Sequence, residues 1–568
     1  MLGSERLLVH SAGAHRLESI VVASARMRPR SVKVSSAAPT FGHTRRNPLS
    51  TAAASPSNKW LVTIAGMAGA IAMIMSSTIA NVAVPTVMGA FGVGQDRAQW
   101  LATGFIATMV ASQLLSAWFV RALGVRGAFL VINAVFFAGT AIAFFSPSFE
   151  MVVAGRMLQG FSAGIVQPMT MALIFVQFPP ERRGQAMGIH SMGIQIAPML
   201  GPMIGGLIID TVGWREIFLV PVPICALSAF LGVLYLPGRE EQGALPKFDW
   251  LGYSLLVAAL GTLLAAGSNG QRYGWGSDAI VLLALVGLAT GIAFVWLQLQ
   301  SASPLLDFSL FKIPQFTAAV IVGFVFGLGN FASNYLIPVT VQEVQGLTPF
   351  LSGLLLVPAG FLVISGTPIF GRLADVFPAH RIVMCGLCLF ALGNYLMSRT
   401  DANTTFVTFA VMIIIARCGM AVLVPALSTS ALKVLTTEQL HRGTGTINFI
   451  RQLGGSCGVA ALVVFIERRT QFHVEAMAAT QTPDNTTSVE LLSRVSALLA
   501  EMGVSENVRA PAALHYLGEV IGAQASARGF SDGFLIIAIV FVLAVIPAWN
   551  LGKARKRHAT QQAHAVAR

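Results

Sequence analysis

Fourteen mostly apolar runs, each long enough to cross a bilayer, decide what this chain can fold into. They lie near residues 60–85, 98–119, 127–145, 151–177, 185–209, 216–236, 250–267, 279–299, 316–341, 351–371, 382–398, 405–428, 444–466 and 531–551. A hydrocarbon core about 30 Å thick takes about 20 helical residues, and inside it every backbone N–H and C=O must be satisfied within the protein. Helices achieve this segment by segment, so the expected fold is an all-α membrane protein with 14 transmembrane helices. Composition agrees. Of the 568 residues 55% are hydrophobic and only 11% charged, with a mean hydropathy of +0.71, against about a quarter charged in soluble domains. A soluble enzyme, a disordered scaffold and a disulfide-stapled secreted domain are excluded.

Most connections are short, which makes successive helices antiparallel neighbours, and their Lys/Arg asymmetry sets the orientation. The loops taken as cytoplasmic carry Arg121, Arg126, Arg182, Arg183, Arg239, Lys247, Lys312, Arg372, Arg381, Lys433 and Arg442; the opposite set carries only Arg97, Arg215, Arg272 and Arg399. Both termini are therefore expected in the cytoplasm, with the long loop 467–529 outside. On a soluble chain the formal charge of +13 would suggest nucleic acid. Here nine Lys/Arg against Glu5 and Glu18 fall in residues 1–59, and five with no acid fall in 551–568. Such tails fix orientation and meet anionic lipid, so the bilayer is the expected partner and nucleic acid is not. Residues 1–58 lack the unbroken apolar stretch of a secretory signal and read as a basic disordered tail; a start assigned upstream of the true one, near Met27 or later, and a transit peptide stay open beside that reading. Residues 553–568 read as a second basic cytoplasmic tail. All five cysteines, Cys225, Cys385, Cys388, Cys418 and Cys457, sit in apolar runs, where a free thiol packs as a small hydrophobe; no metal is expected.

The chain also repeats itself. The fourth run of each half carries a lone arginine, Arg156 and Arg417; an Arg-Gly pair follows each, Arg183-Gly184 and Arg442-Gly443; and the next run is glycine-rich, Gly193 to Gly206 and Gly443 to Gly458. Duplicated helix bundles are common in transporters. The expected organisation is 6 + 2 + 6: a first bundle over 59–237, an inserted helix pair over 238–303, and a second bundle over 304–552.

The densest motif is GIQIAPMLGPMIGG, Gly193–Gly206. Gly193, Gly201, Gly205 and Gly206 permit close backbone approach, and Pro198 and Pro202 kink a helix that only a membrane protein tolerates. This stretch resembles the fifth-helix antiporter motif of the major facilitator superfamily, in its 14-helix drug:proton antiporter branch (EmrB/QacA type). Arg156-Met-Leu-Gln159-Gly160, PPERRG (Pro179–Gly184), Asp249-Trp-Leu-Gly252, PLLDFSLF (Pro304–Phe311), GLLLVPAG (Gly353–Gly360), RQLGGSCG (Arg451–Gly458) and FSDGF (Phe530–Phe534) are similar to that branch in the same order. Two departures stand out. Ser76 occupies the position of an acid in the first helix. The first-half gate motif, ending at Arg121 and Gly124, has also lost its acid, whereas Gly371-Arg372-Leu-Ala-Asp375 keeps one.

The resemblance implies the major facilitator fold and proton-coupled multidrug export of amphipathic toxic compounds by alternating access. The implied location is the inner (cytoplasmic) membrane, and the energy source is the proton gradient, with no cofactor. It further implies a periplasmic adaptor and an outer-membrane channel as partners. Export of one defined metabolite or siderophore is the alternative, ahead of a membrane receptor or enzyme. No GxxxxGK[ST] is present to hold a nucleotide, and no catalytic constellation is visible.

Coupling and gating fall to Arg156, Gln159, Gly160, Arg417, Arg451, Arg372 and Asp375, because an intramembrane cation is costly and is retained for a partner or a wet cavity. No acid lies near a midplane. Of Asp210, Glu216, Asp249, Asp307, Glu343 and Asp532 at helix ends, Glu343 is the first choice as proton carrier. His190 is the only histidine inside a run. A substrate cavity is expected among Ser77, Asn81, Gln113, Gln167, Asn330, Asn334, Tyr335 and Asn448.

Overall fold

The computed structural model describes residues 58–551, apart from 99, 239–247, 302–303, 348, 402 and 483; both predicted basic tails lie outside the described residues. Seventeen α-helices and four short 3-10 turns make up nearly all of it, and no strand occurs among the described residues. In chain order the helices are α1 (Asn58–Val82), α2 (Val84–Phe91), α3 (Gln95–Ala98), α4 (Trp100–Ser112), α5 (Ser116–Phe144), α6 (Phe149–Gln177), α7 (Arg183–Thr211), α8 (Val222–Tyr235), α9 (Trp250–Tyr273), α10 (Asp278–Gln300), α11 (Pro314–Glu343), α12 (Pro349–Val376), α13 (Ala379–Met397), α14 (Phe406–Leu432), α15 (Thr437–Ala478), α16 (Thr486–Glu501) and α17 (Glu506–Leu543).

Thirteen continuous stretches are long and apolar enough to cross a membrane, so the chain is a multi-pass membrane protein. One stretch, Trp100–Phe144, is 45 residues long, enough for two crossings. It is interrupted at Gly124, whose φ of 73° is a left-handed conformation that any Cβ would strain. The total is thus consistent with fourteen crossings.

Local chemistry places the helix starts. Ser148 caps α6, Thr405 caps α14, and Thr436 with Gln439 forms a capping box at α15, each side chain satisfying an otherwise orphaned N–H. Asp249 caps α9 by accepting from Gly252 N–H at 2.8 Å, and also accepts from Gln298 of α10 at 2.7 Å. Gln298 in turn holds Leu305 N–H at 2.6 Å. The DWLG motif is thereby a clasp between α9, α10 and the start of the second half.

The expected outward loop 467–529 is mostly helix. α15 continues to Ala478, α16 occupies 486–501 behind its Asn485 cap, and α17 begins at Glu506, well before the apolar run at 531. Hydropathy stops where the residues become polar, but helical hydrogen bonding does not.

Buried side chains of the first half form two clusters, one around Phe105, Phe129 and Phe136 and another around Ile79 and Phe218. The large second-half cluster around Phe316, Phe390 and Phe541 also takes in Met171, Phe175 and Met187 from α6 and α7. The halves therefore share a core at one end of the bundle. That end carries Arg182, Arg372 and Arg442, and we refer to it as the arginine-rich end.

Candidate functional site

Three arginines sit inside the bundle, and polar groups rather than acids receive each of them. Arg156 is fully buried on α6. Its Nε donates to the Leu101 carbonyl at 3.2 Å, and its Nη1 to the Ser76 carbonyl and Ser76 Oγ, both at 3.1 Å, and to Gln159 Oε1 at 2.9 Å. The Gln159 amide donates onward to Thr140 at 2.8 Å, and the guanidinium lies 4.2 Å from the centre of the Phe105 ring. Where the family carries an acid, Ser76 supplies a hydroxyl and a carbonyl. Dipoles and an aromatic face thus hold the charge. Gly160 lets this helix lie against α4, since a Cβ there would collide with the Phe105 carbonyl.

Arg417, on α14, reaches the predicted cavity residues of α11. It donates to Asn330 Oδ1 at 3.0 Å and to Asn334 Oδ1 at 2.6 Å. Arg451, on α15, donates to Asn448 Oδ1 at 2.5 Å, and the Asn448 amide faces Met171 of α6 at 3.3 Å. Gln113 and Gln167 meet at 3.5 Å. Of the expected cavity set, Asn330, Asn334 and Asn448 therefore meet arginines, while Gln113 and Gln167 meet each other. Ser77 spends its hydroxyl on its own helix at Ile74, Tyr335 lies toward the far end of α11, and the Asn81 side chain is outside what is described.

The halves close on each other at the arginine-rich end. α7 and α12 touch backbone to backbone: a Cβ at Gly184 would meet the Gly371 carbonyl, and one at Gly188 the Thr367 carbonyl. Asp375 accepts the backbone N–H groups of Gly184 at 2.7 Å and Gln185 at 2.9 Å at the start of α7, where the helix dipole favours a negative charge. Lys433 stands 3.7 Å from the same carboxylate. Arg442 binds Asp307 at 2.7 Å; burial would raise the Asp307 pKa, but hydrogen bonds from Ser309 and Arg442 outweigh it and hold the carboxyl below its usual range. Arg372 and Asp375 line a cavity of about 470 Å³ at this end, with Lys59, Trp60 and Glu181.

At the opposite end a cleft of about 500 Å³ opens between α11, α15 and α17, lined by Tyr335, Val339, Glu343, Ile466, Glu467 and Phe530 among others. Glu343 stands here, remote from the arginine layers. Asp532 is engaged by Arg469 at 2.7 Å and His473 at 2.9 Å.

The glycines of the Gly193–Gly206 motif serve a different contact from the interface between halves. Gly193 packs on Met67, Gly201 on Thr78 and Gly205 on Ile79, all on α1; Gly206 has nothing near it, Pro198 is exposed, and the Pro202 side chain is outside what is described. On α7 the glycines that meet the other half are Gly184 and Gly188, with Gly371 and Gly445 making such contacts from the second half, and of the α7 pair sequence reasoning missed Gly188. A signal was present: Gly184 and Gly188 are four residues apart, hence on one helix face.

The sequence pattern of the Major Facilitator Superfamily matches residues 66–459. The lincomycin resistance protein LmrB of Listeria monocytogenes is 30% identical over 410 residues, 72% of this chain and 86% of that protein. The multidrug export protein EmrB of Haemophilus influenzae is 28% identical over 491 residues, 86% of this chain and 95% of that one. Among solved structures, the human organic anion transporter MFSD10 (TETRAN) superposes with a TM-score of 0.55 at 16% identity, covering 86% of this chain and 100% of the other. That likeness shows a shared fold.

Proposed function

Because the chain belongs to the major facilitator superfamily, and is a transporter rather than an enzyme, we propose that it exports amphipathic toxic compounds in exchange for protons by alternating access. The observation that carries this reading is the seam between the halves at the arginine-rich end. Glycine-mediated backbone contact and a capping carboxylate join α7 to α12 there. Contacts built on glycine and one carboxylate can separate without unfolding a helix, which is what rocking of two bundles requires. The names of the relatives, multidrug export and lincomycin resistance, support the substrate class.

In this reading the arginine-rich end faces the cytoplasm of the inner membrane together with both tails, and the order of bundles is 6 + 2 + 6. The pairing of α9 with α10, and the lie of α9 along α4, favour an inserted pair. Arg156, Arg417 and Arg451 with their asparagines and glutamines form the polar layers of the pathway. Asp375 and Arg372 form the cytoplasmic gate, and the glycines of α7 are its hinge and seal. A periplasmic adaptor would dock on α16 and the adjoining ends of α15 and α17.

Purified protein in proteoliposomes with an imposed pH gradient tests the proposal. Addition of a cationic dye should release protons; no dye-dependent proton movement, together with unchanged drug susceptibility of an overexpressing strain, would overturn it. Deletion of α16 should abolish recovery of an adaptor by pull-down, and full recovery would remove α16 as the docking element.

A further inference from the structure

We propose that the polar layer around Arg417 and Arg451 is a binding site for amphipathic organic anions, which set a carboxylate or sulfonate head on the two guanidinium groups. The inference rests on the export reading above and names a second class of compound for it, beside cationic dyes. A buried cation is retained where a partner or a wet cavity receives it, and here the chain supplies dipoles but no opposite charge.

The positive charge is fixed and uncompensated. Arginine stays protonated through any ordinary pH range, and among the described residues no carboxylate reaches Arg417 or Arg451. α14 contains no Asp or Glu. The acids of α6, α7 and α11 are Glu150, Asp210 and Glu343, each at or next to the end of its helix. On α15, Glu438 lies 13 residues before Arg451 and Glu467 lies 16 after it, about 20 Å and about 24 Å away along the helix. Asp307 and Asp375 are engaged at the arginine-rich end. The acid that balances this layer therefore has to come from a ligand.

Hydrogen bonding has the same bias. Arg417 spends Nη1 and Nη2 on Asn330 and Asn334, and its Nη1 also lies 3.7 Å from Met420 Sδ. Arg451 is half-buried and gives its Nη2 to Asn448; its Nε and Nη1 meet no acceptor among the described residues. The Asn448 amide donates to the Thr444 carbonyl at 2.9 Å and otherwise faces Met171 Sδ, and the Gln195 amide of α7 faces Met420 Sδ at 3.5 Å. A thioether is a weak acceptor, so donors exceed good acceptors at this level. An anionic head brings acceptor oxygens alone, and a guanidinium takes two of them side by side. The two arginines address one stretch of α11, because a Cβ at Gly327 would meet the Arg451 carbonyl one turn before Asn330. Both halves contribute: Met171 and Gln195 come from α6 and α7, Met420 and Asn448 from α14 and α15. Asn334 is exposed and Gln195 half-buried, so a solute can reach the layer from outside the fold. Met171 and Met420, unbranched and polarizable, adapt to tails of varied shape.

The test uses the full chain in nanodiscs, with empty nanodiscs as the blank, and two fluorescent probes that share one tail: a dansyl-labelled alkyl sulfonate and the matching neutral alkyl methyl sulfone. The sulfonate stays ionised at any working pH, so it carries no proton of its own. The wild type should bind the sulfonate about tenfold more tightly than the sulfone. Arg451→Gln should bring the two affinities together, and Arg451→Lys, which keeps the charge without the planar fork, should retain part of the preference. Equal affinities in the wild type would overturn the proposal, and that comparison needs no variant to fold. An undiminished sulfonate preference in Arg451→Gln would overturn it too. The same preparations in proteoliposomes separate the two readings. No sulfonate preference beside intact dye-driven proton release removes the anion site and leaves the export reading standing. Arginine-dependent sulfonate binding by a protein that moves no protons supports the site while removing the export reading.

Discussion

At the scale of single residues, the instructive position is Ser76. Sequence comparison marks it as a missing acid, and a missing acid beside an intramembrane arginine reads as a defect in coupling. Its environment shows a substitution of one kind of partner for another. Arg156 finds three oxygens from Ser76 and Gln159 and a fourth at Leu101, none of which changes charge with pH. Gln159 is the pivot of this arrangement because it accepts from Arg156 and donates to Thr140. Gln159→Leu should therefore cost about 1–3 kcal/mol, the penalty for a buried donor left without its acceptor, read as a lower midpoint of thermal unfolding in detergent. Gln159→Glu keeps the acceptor and should retain most of the stability. An unaltered midpoint for the leucine variant would show that the network is not what holds Arg156. The polar types and their rows were legible in the sequence. Which asparagine meets which arginine was not, because Asn330 and Arg417 are 87 residues apart in the chain and only the fold joins them.

Elements divide the glycines into two classes that look alike in sequence. Gly193, Gly201 and Gly205 bring α7 against α1 within one half, while Gly184 and Gly188 bring it against α12 in the other. A substitution in the first class should loosen a bundle; one in the second should push two bundles apart. Gly188→Val is thus expected to lengthen the distance between spin labels placed at Glu181→Cys and Val376→Cys, with the exposed native cysteines replaced by serine, whereas Gly206→Val, with open space around it, should leave both separation and stability unchanged. Equal distances in the two variants would refute the division. The antiporter motif was the most conspicuous feature of the sequence, and its residues pack inside one half. The interface between halves is carried by a quieter pair one to two turns earlier. Period and composition reveal that a helix has a small-residue face, but not which neighbour that face meets.

At the scale of the whole molecule, the number and order of the spanning helices follow from hydropathy because in lipid a spanning segment has few alternatives to a helix. The polar extensions of α15 and α17 escaped that reasoning, since outside the bilayer hydropathy no longer reports on helix. The sealed end has two kinds of tie, and they should answer differently to acid. Asp307 has its carboxyl pKa held low, so its bond to Arg442 contributes above the ordinary carboxylate range and is lost only as pH falls through the lowered value. Between pH about 5 and 8 the tie is constant. Asp307→Asn should therefore lower the midpoint of thermal unfolding in detergent by the same amount at pH about 5.5 and about 8. A loss that differs between the two would show that the Asp307 carboxyl titrates inside that window.

α15 deserves a mechanical reading. Its 42 residues form a rod about 63 Å long at 1.5 Å per residue, against a bilayer about 40–45 Å thick with its headgroups. One end carries His441 and Arg442 at the seal, and the other carries the polar stretch 467–478 that leads toward α16. A rigid rod that tilts at its base sweeps its tip through a proportionate arc, so α16 is a pointer on a dial. An antibody fragment raised against that tip would bind one position of the dial in preference to the other, and would report which way the arginine-rich end is turned.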